Sequence, residues 1–328
     1  MQKASIYFSI LTLLFSNIDK TYCQNNIINQ EDTSYTVNST FTKLIKQYPF
    51  ITIYNPEIPK SILVKKDLIY TRNNDREMHL DVFYPKKKRK GGYPVILFIH
   101  GGGWRSGNKS MDWPMASQLA AEGFVTATIE YRLSTESLYP APIYDIKTAI
   151  RFLRLISNKY PIDTSHFVIC GASAGGQIAA LLAMENGDGT FPDKGDYLEY
   201  SSKLQACIDI DGILCFIHPE AQEGEDKPGK LSAATQWFGV NWKEDRTKWD
   251  EASALNHTNK NSTPILFIAS SQPRFNAGRD DLIVKLDTLN IYTEVKKIPD
   301  SPHSFWLFNP WAEPSLKYMK EFLKHVFP

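Results

Sequence analysis

The chain has 328 residues, of which 42% are hydrophobic and 22% charged, and its formal net charge is +1 at pH 7. Such values are typical of a globular protein that can bury a substantial core. A nearly neutral chain argues against a protein that binds nucleic acid by neutralising many phosphates. The basic run at 86–90 precedes two glycines between two strand-like segments, so we interpret it as a solvated loop rather than an RNA- or lipid-binding patch.

The amino-terminal residues have the pattern of an export signal. Lys3 precedes an apolar stretch at 6–15, and Thr-Tyr-Cys at 21–23 offers a cleavage site. Residues 1–23 are therefore predicted to be a secretory signal peptide, which implies a periplasmic or extracellular mature protein. Signal cleavage and lipidation at Cys23 both stay open. The sequence after this segment contains no stretch long and apolar enough to predict a membrane span.

The three cysteines after Cys23 lie in or beside apolar, strand-like segments. They are Cys170, Cys207 and Cys215. Buried reduced thiols are the simplest interpretation, and a disulfide between Cys207 and Cys215 stays open. Their spacing does not match a metal-ligand motif, so we predict no metal site.

The predicted elements begin after a segment with weak periodicity. Residues 24–60 are rich in Asn, Thr, Ser and Pro, and we expect a flexible amino-terminal leader. Strands are then predicted at 62–71 and 78–84, where apolar and polar residues alternate in the second as in a half-buried antiparallel pair. The apolar run at 94–99 is typical of a strand covered on both faces.

Helices and strands alternate through the rest of the chain. Helices are predicted at 113–122, 143–160, 177–186, 280–289 and 314–326, and strands at 124–131, 167–170, 205–210, 264–269 and 292–298. About eight strands with intervening helices predict an α/β fold over 61–328, with a doubly wound, mostly parallel sheet that starts antiparallel. The irregular segment at 213–262 follows the carboxyl end of a strand, so we expect a lid or cap insertion there.

A serine lies at the apex of a predicted strand-turn-helix unit. Residues 171–175 read Gly-Ala-Ser-Ala-Gly, between an apolar strand and an Ala/Leu-rich helix. This is the G-x-S-x-G pattern, in which a strained turn lifts a serine hydroxyl clear of the sheet. A side chain at position 171 or 175 would collide with neighbouring backbone in so tight a turn. Ser173 is therefore the predicted nucleophile.

Two further segments reach the same edge of the predicted sheet. His303 lies on the loop between the last strand and the last helix, where it can meet Ser173 and act as its base. Residues 100–104 read His-Gly-Gly-Gly-Trp and directly follow a central strand. Glycines let the backbone N–H groups of Gly102 and Gly103 join that of Ala174 in stabilising a negatively charged oxygen.

Five motifs in this order resemble the α/β-hydrolase superfamily. They are His-Gly-Gly-Gly-Trp at 100–104, Tyr-Arg-Leu at 131–133, Asp145, Gly-Ala-Ser-Ala-Gly-Gly at 171–176 and His-Ser-Phe at 303–305. Within it they resemble the secreted bacterial carboxylesterases that include acetylxylan and feruloyl esterase-like enzymes. The resemblance covers 62–328. It implies the α/β-hydrolase fold, hydrolysis of acetyl or other acyl esters, often on plant-type polysaccharides, and no cofactor.

The acid that would orient His303 is the open position. In the family it usually follows the seventh strand, but 269–275 reads Ala-Ser-Ser-Gln-Pro-Arg-Phe, without a carboxylate. Asp211, at the tip of the preceding strand, is favoured because it faces the same sheet edge. The alternatives are Asp280 and Asp281 at the start of the next helix, where a carboxylate often caps, and Asp300 on the loop of His303. A purely structural role for Asp211, holding the lid loop, competes with all of these.

Aromatic and basic residues near this edge are candidate substrate contacts. Trp104 and Trp306, with Trp311, are predicted to flank the pocket, and Arg274 and Arg279 could contact an acidic sugar. Core packing and salt bridges are the competing interpretations.

The function favoured by these motifs is a serine carboxylesterase that acts on a small-molecule or polysaccharide ester. An amidase or peptidase of the same fold, and a non-catalytic binding module, are the alternatives. The sequence does not predict the oligomeric state.

Overall fold

The structure, a computed structural model, describes residues 32, 34–222 and 224–328. The predicted signal peptide at 1–23, with Cys23, lies outside the described residues. Among the helices that are described, none has the length and apolarity needed to cross a membrane.

An eight-stranded sheet forms the centre of the fold. The strands in chain order are β1 (Thr52–Ile53), β2 (Ile62–Asn73), β3 (Arg76–Pro85), β4 (Tyr93–Ile99), β5 (Val125–Ile129), β6 (Ile162–Ala172), β7 (Ala206–Ile210), β8 (Ile265–Ala269), β9 (Thr293–Lys297) and β10 (Phe308–Asn309). The large sheet has the order β2-β3-β5-β4-β6-β7-β8-β9. Strand β3 is antiparallel to both of its neighbours, β2 and β5. The remaining neighbouring strands, from β5 through β4 to β9 in the sheet order, are all parallel to one another. The predicted mostly parallel sheet with an antiparallel start is confirmed.

Helices cover both faces of this sheet. They are α1 (Val37–Leu44), α2 (Trp113–Ala121), α3 (Ala141–Leu155), α4 (Ala174–Glu185), α5 (Ala233–Phe238), α6 (Thr247–Glu251), α7 (Arg279–Thr288) and α8 (Ala312–Val326). Alternate side chains of β4 point to opposite faces: Leu97 packs in one buried cluster with residues of α3 and α4, and Phe98 in the other with residues of α2 and α8. A strand buried on both faces must be apolar throughout, which explains the continuous run at 94–99.

The described part of the predicted flexible leader is a packed segment. Helix α1 begins with a capping box between Thr36 and Ser39, and β1 pairs antiparallel with β10 near the carboxyl terminus. Phe41 of α1 contacts Phe308 at a ring-centroid distance of 6.1 Å. Hydrogen bonds from Tyr35 to Ser304 and from Asn309 to Thr52 join this segment to residues 269 and 257 positions away. Local periodicity does not indicate order that depends on such distant contacts.

The predicted insertion at 213–262 lies between β7 and β8. It contains α5 and α6, and its Trp237 and Trp249 are fully buried. Trp237 stacks on Trp104 with ring centroids 5.0 Å apart, which anchors the insertion on the core. Its predicted role as a lid stays a prediction.

A buried ion pair joins the antiparallel edge of the sheet to the segment before α2. Lys109 Nζ lies 2.7 Å from Oδ1 and 2.8 Å from Oδ2 of Asp81, and Trp113 Nε1 donates to Asp81 Oδ2 at 2.8 Å. Lys109 also reaches Asp67 at 2.8 Å, but that side chain is 67% exposed whereas Asp81 is fully buried. The two carboxylates therefore differ in how strongly they interact with Lys109, because water screens the exposed Asp67 but not the buried Asp81.

We predict that Asp81→Asn lowers the free energy of unfolding by about 3 kcal/mol or more, since it leaves the Lys109 cation without its buried counterion. The matched control is Asp67→Asn, which should cost less than about 1 kcal/mol because its charge is exposed. Urea unfolding monitored by circular dichroism measures both. Equal losses would contradict the assignment of the buried pair.

Candidate active site

Ser173 lies between β6 and α4 in a backbone conformation that few residues adopt. Its φ and ψ angles are 56° and −120°, and its N–H donates to the carbonyl of Ile210 on β7 at 2.8 Å. The glycines on either side are required by close approach: a Cβ at Gly175 would lie 1.9 Å from the carbonyl oxygen of Ile99, and one at Gly171 would lie 2.1 Å from that of Gly175. The strained turn expected from the sequence is present.

His303 meets Ser173 at the carboxyl edge of the sheet. Its Nε2 lies 2.8 Å from Ser173 Oγ. The imidazole is enclosed by two aromatic rings: Phe275 stacks on it with centroids 3.5 Å apart and planes 9° from parallel, and Trp306 contacts it edge-on at 5.2 Å. Next to it, Ser304 Oγ is hydrogen-bonded to the Tyr35 hydroxyl at 3.1 Å. These contacts leave the ring little freedom to rotate away from the serine.

Asp211 completes a hydrogen-bonded chain through His303 to Ser173. Its Oδ2 lies 2.9 Å from His303 Nδ1, and its Oδ1 accepts a hydrogen bond from the Ser270 N–H at 2.7 Å. The residue is 1% exposed. Since the backbone donor holds one oxygen, the other stays directed at the imidazole.

The structure does not bring the alternative carboxylates to His303. Asp280 pairs with Arg279 at 2.8 Å and is 82% exposed, and Asp281 is 66% exposed with its Oδ2 3.5 Å from His218 Nε2. Asp300 is exposed on its own loop. Of the four candidates, Asp211 is the one within hydrogen-bond distance of His303, and its role as the acid stays a prediction.

The glycine-rich loop after β4 lies against the serine turn. A Cβ at Gly101 would come within 2.8 Å of the Ala172 carbonyl oxygen, so the loop and the turn are in direct contact. Gly102 has a φ of 128°, and its carbonyl accepts hydrogen bonds from the N–H and hydroxyl of Ser106. Ala174 is the first residue of α4, so its N–H has no partner within the helix. The predicted oxyanion-binding role of Gly102, Gly103 and Ala174 is compatible with this placement and stays a prediction.

A cavity of about 100 Å³ opens at Ser173. It is lined by Gly103, Trp104, Ser173, Ala174, Asp211, Ile213, Ala233, Arg274 and Phe275. Its wall at Trp104 is fixed, because the indole Nε1 donates to Gln177 Oε1 at 3.0 Å and the ring stacks on Trp237. Phe275 and Gln177 had no assigned role in the sequence interpretation. Phe275 lies in the turn after β8, where the acid was expected, and this position was the one feature of the sequence that could have indicated a role for it.

The match to known families agrees with this geometry. Residues 80–275 match the BD-FAE family. The chain belongs to the BD-FAE family. The predicted resemblance to an esterase family of the α/β-hydrolase superfamily is therefore confirmed.

Individual relatives share shorter segments with this BD-FAE chain. It is 32% identical over 143 residues to the "Probable carboxylic ester hydrolase LipM" of Mycobacterium tuberculosis (strain ATCC 25618 / H37Rv), a match that covers 43% of this chain and 33% of LipM. It is 34% identical over 116 residues to "Esterase LipC" of the same organism, which covers 35% of this chain and 29% of LipC. The chain thus spans about a third of the length of these relatives.

A solved structure extends the similarity of fold to most of the chain. The "Truncated form of carbohydrate esterase from gut microbiota" superposes with a TM-score of 0.67 at 22% identity, over 79% of this chain and 96% of that one. At this identity the likeness concerns the fold, and the predicted α/β-hydrolase fold is confirmed.

The three predicted substrate contacts, Trp104, Arg274 and Trp306, occupy different positions relative to the cavity. Trp104 and Arg274 line the cavity at Ser173. Trp306 does not: it is 4% exposed and packs behind His303, because the turn Phe305–Leu307 inserts its side chains into the core. Trp311 is equally enclosed, with its ring 5.3 Å from that of Tyr48. The expected position of Trp306 at the pocket is therefore not observed for the cavity at Ser173, and its role in substrate binding stays a prediction.

Burial shifts the pKa values of two groups beside the site in the direction that favours their uncharged forms. Burial lowers the pKa of His100 to about 4, and its ring stacks on Tyr131 with centroids 4.5 Å apart. Burial also raises the pKa of Asp209 well above its usual value, although the Gly212 N–H donates to this carboxyl at 2.9 Å. His100 therefore has a structural position under the glycine loop, whereas His303 faces Ser173 from another strand end.

The lowered pKa of His100 predicts a pH-dependent stability. Below pH 6.5 the His100 imidazole binds a proton in the unfolded chain, whereas in the folded protein it stays neutral down to about pH 4. The free energy of unfolding therefore falls as the pH is lowered across this window. His100→Gln should remove this component, roughly 3 kcal/mol over the window. Thermal unfolding between these pH values measures it. The exposed His325, changed to Gln, is the control, and a variant at His100 with the unchanged wild-type slope would contradict the burial argument.

Proposed function

We propose that the protein is a serine carboxylic-ester hydrolase that removes acetyl or other short acyl groups from a carbohydrate. The observation that carries this proposal is the chain of hydrogen bonds from Asp211 through His303 to Ser173, which ends at a small cavity. Membership of the BD-FAE family and the esterase names of the relatives support the same reaction class.

The proposed reaction begins with proton transfer from Ser173. His303 Nε2 accepts the hydroxyl proton while Ser173 Oγ attacks the acyl carbon, and the N–H groups of Gly102, Gly103 and Ala174 donate to the oxygen that becomes negative. Asp211 accepts the hydrogen bond from His303 Nδ1–H and stabilises the imidazolium. The proton then passes to the leaving alcohol, and water, activated by His303, hydrolyses the acyl-enzyme.

In this proposal the turn after β8 orients both Asp211 and His303, the two residues that activate Ser173. The Ser270 N–H holds Asp211, and the face of Phe275 covers the imidazole. An aromatic face next to an imidazolium is favourable, because the negative quadrupole of the ring attracts the cation. This turn lacks the expected carboxylate and in our proposal supplies positioning groups instead.

The size of the cavity supports a short acyl group. It holds about 100 Å³, and its Trp104 wall is fixed by a hydrogen bond and a stacked ring. A long chain would have to displace this wall, and forcing extra methylenes into packed structure costs about 1–3 kcal/mol. Acetyl and propionyl groups are the acyl groups that we propose.

The choice of a carbohydrate as the alcohol rests on two further observations. A protein of the same fold is called a carbohydrate esterase. Arg274 lies at the cavity, where a guanidinium could contact an acidic sugar. We also propose that the enzyme is exported, on the basis of the signal-like pattern at 1–23.

The first test is hydrolysis of p-nitrophenyl esters by the purified protein. We expect Ser173-dependent turnover, with kcat/KM for the acetate about tenfold or more above that for the octanoate because the wall excludes long chains. Ser173→Ala should abolish turnover, and Ser271→Ala, a change at the same sheet edge, should not. Turnover that does not exceed that of Ser173→Ala would overturn the esterase proposal.

The same preparation separates the alternatives. Acetate release from acetylated xylan, pectin and simple acetylated sugars tests the carbohydrate, and an acetanilide tests amide cleavage. Faster amide than ester cleavage would favour the amidase, and saturable sugar binding without turnover would favour the binding module.

The acid is tested by a matched pair of substitutions. Asp211→Asn should lower kcat by about 10³- to 10⁴-fold, because the amide no longer stabilises the imidazolium and favours the wrong tautomer of His303. Asp281→Asn should leave kcat within about twofold of wild type, since its carboxylate is exposed. Circular dichroism must first establish that both variants fold. Equal losses in kcat, or the reverse order, would remove Asp211 from the proposed triad.

A further inference from the structure

A second and larger cavity lies apart from the one at Ser173. Its volume is about 260 Å³, and four separate parts of the chain form its wall: the start of α1, β1 with the residues after it, the segment that leads into α2, and the turn after His303. The lining is mostly aromatic and aliphatic, with Val37, Ile53, Tyr54, Pro56, Ile58, Met111, Trp113, Pro114, Met115, Trp306 and Leu307. None of these residues lines the cavity at Ser173.

One carboxyl group in this apolar wall has no partner. Asp112 lines the cavity and is 8% exposed, and its enclosed Oδ2 has no hydrogen-bond partner. It directly precedes α2, but its side chain makes no capping hydrogen bond to the helix. Buried carboxyl groups are normally paired, because removing an unpaired one from water is costly. No contact in the described part of the chain offsets the cost of burying this carboxyl group, so a stabilising role does not explain Asp112.

The surroundings of Asp112 supply no cation from the described chain. Lys109, three positions away, is paired with Asp67 and Asp81. Burial alone raises the pKa of Asp112 to about 7, and the groups that interact with it electrostatically are Tyr35, Tyr131 and Cys170, whose own pKa values burial raises. Those three groups are neutral near pH 7. A cation brought by a ligand would thus meet one carboxylate and no competing base.

We propose that this cavity binds a small primary ammonium compound with an apolar body, whose cationic group pairs with the Asp112 carboxylate. The ammonium group supplies the hydrogen-bond donors and the charge that the carboxylate lacks. Met111, Met115 and Trp306 offer apolar surface for the rest of the molecule. At about 260 Å³ the cavity is below the roughly 300–1,000 Å³ of sites for drug-sized ligands, so the ligand is smaller. This proposal does not rest on the proposed ester hydrolysis.

The test compares benzylammonium with benzyl alcohol, a neutral molecule of nearly the same shape, by titration calorimetry on the purified chain. At about pH 8.5, where Asp112 is ionised, we expect benzylammonium to bind about tenfold or more tightly than the alcohol. At about pH 5.5, where the carboxyl is protonated, the preference should disappear, while the affinity for the alcohol stays unchanged. Equal affinities at the higher pH, or no measurable binding of benzylammonium, would overturn the proposal.

Two substitutions locate the binding. Asp112→Asn removes the charge at almost constant volume, so the variant should bind both compounds equally at either pH. Met115→Trp fills the cavity from its wall without touching Asp112, and it should abolish binding while p-nitrophenyl acetate hydrolysis is unaffected. This second variant keeps the test decisive if Asp112→Asn does not fold. Retained preference in the Asn variant, or unchanged binding in the Trp variant, would place the ligand elsewhere and refute the site.

Discussion

The turn at Ser173 packs directly against the end of β4, and this close approach constrains the geometry around it. Because a Cβ at Gly175 would lie 1.9 Å from the Ile99 carbonyl oxygen, the first turn of α4 can reach the sheet only without a side chain there. The same contact brings the glycine loop that follows Ile99 alongside Ser173. The strained turn at Ser173 and the position of the glycine loop beside it are thus consequences of one packing arrangement rather than two independent features.

The parallel order of β6, β7, β8 and β9 supplies the remaining parts of the site. Their carboxyl ends point to one edge, so Ser173, Asp211, Ser270 and His303 follow successive neighbouring strands. The turn after β8 contacts both ends of the Asp211–His303 pair, through a backbone N–H at Ser270 and an aromatic face at Phe275. The tips of two neighbouring strands, β7 and β8, therefore both contribute groups that hold the imidazole in place.

Lys109 and Asp112, three residues apart, are both buried ionisable residues, but one is paired and the other is not. At Lys109 the cation and its carboxylates are fully paired, which joins the sheet to the segment before α2. Three residues later the Asp112 carboxyl is buried without a partner. The contrast is informative because Lys109, three residues before Asp112, forms a paired contact with the buried carboxylate of Asp81. The fold can therefore provide a partner for a buried carboxylate in this region. The unpaired group is thus a local property of the cavity wall.

Local patterns were sufficient to predict the alternation of strands and helices, the glycine turn at Ser173 and the sheet edge that His303 shares with it. These features depend on residue periodicity and on the direction of parallel strands, both of which are readable along the chain. Its place at the tip of a predicted strand favoured Asp211, but the sequence left Asp280, Asp281 and Asp300 open because they also lie near the same sheet edge. The packed helix α1, the burial of Trp306, the Phe275 stack and the unpaired Asp112 arise from contacts between segments far apart in sequence. Such contacts are set by how the layers fit together, and no local period encodes them.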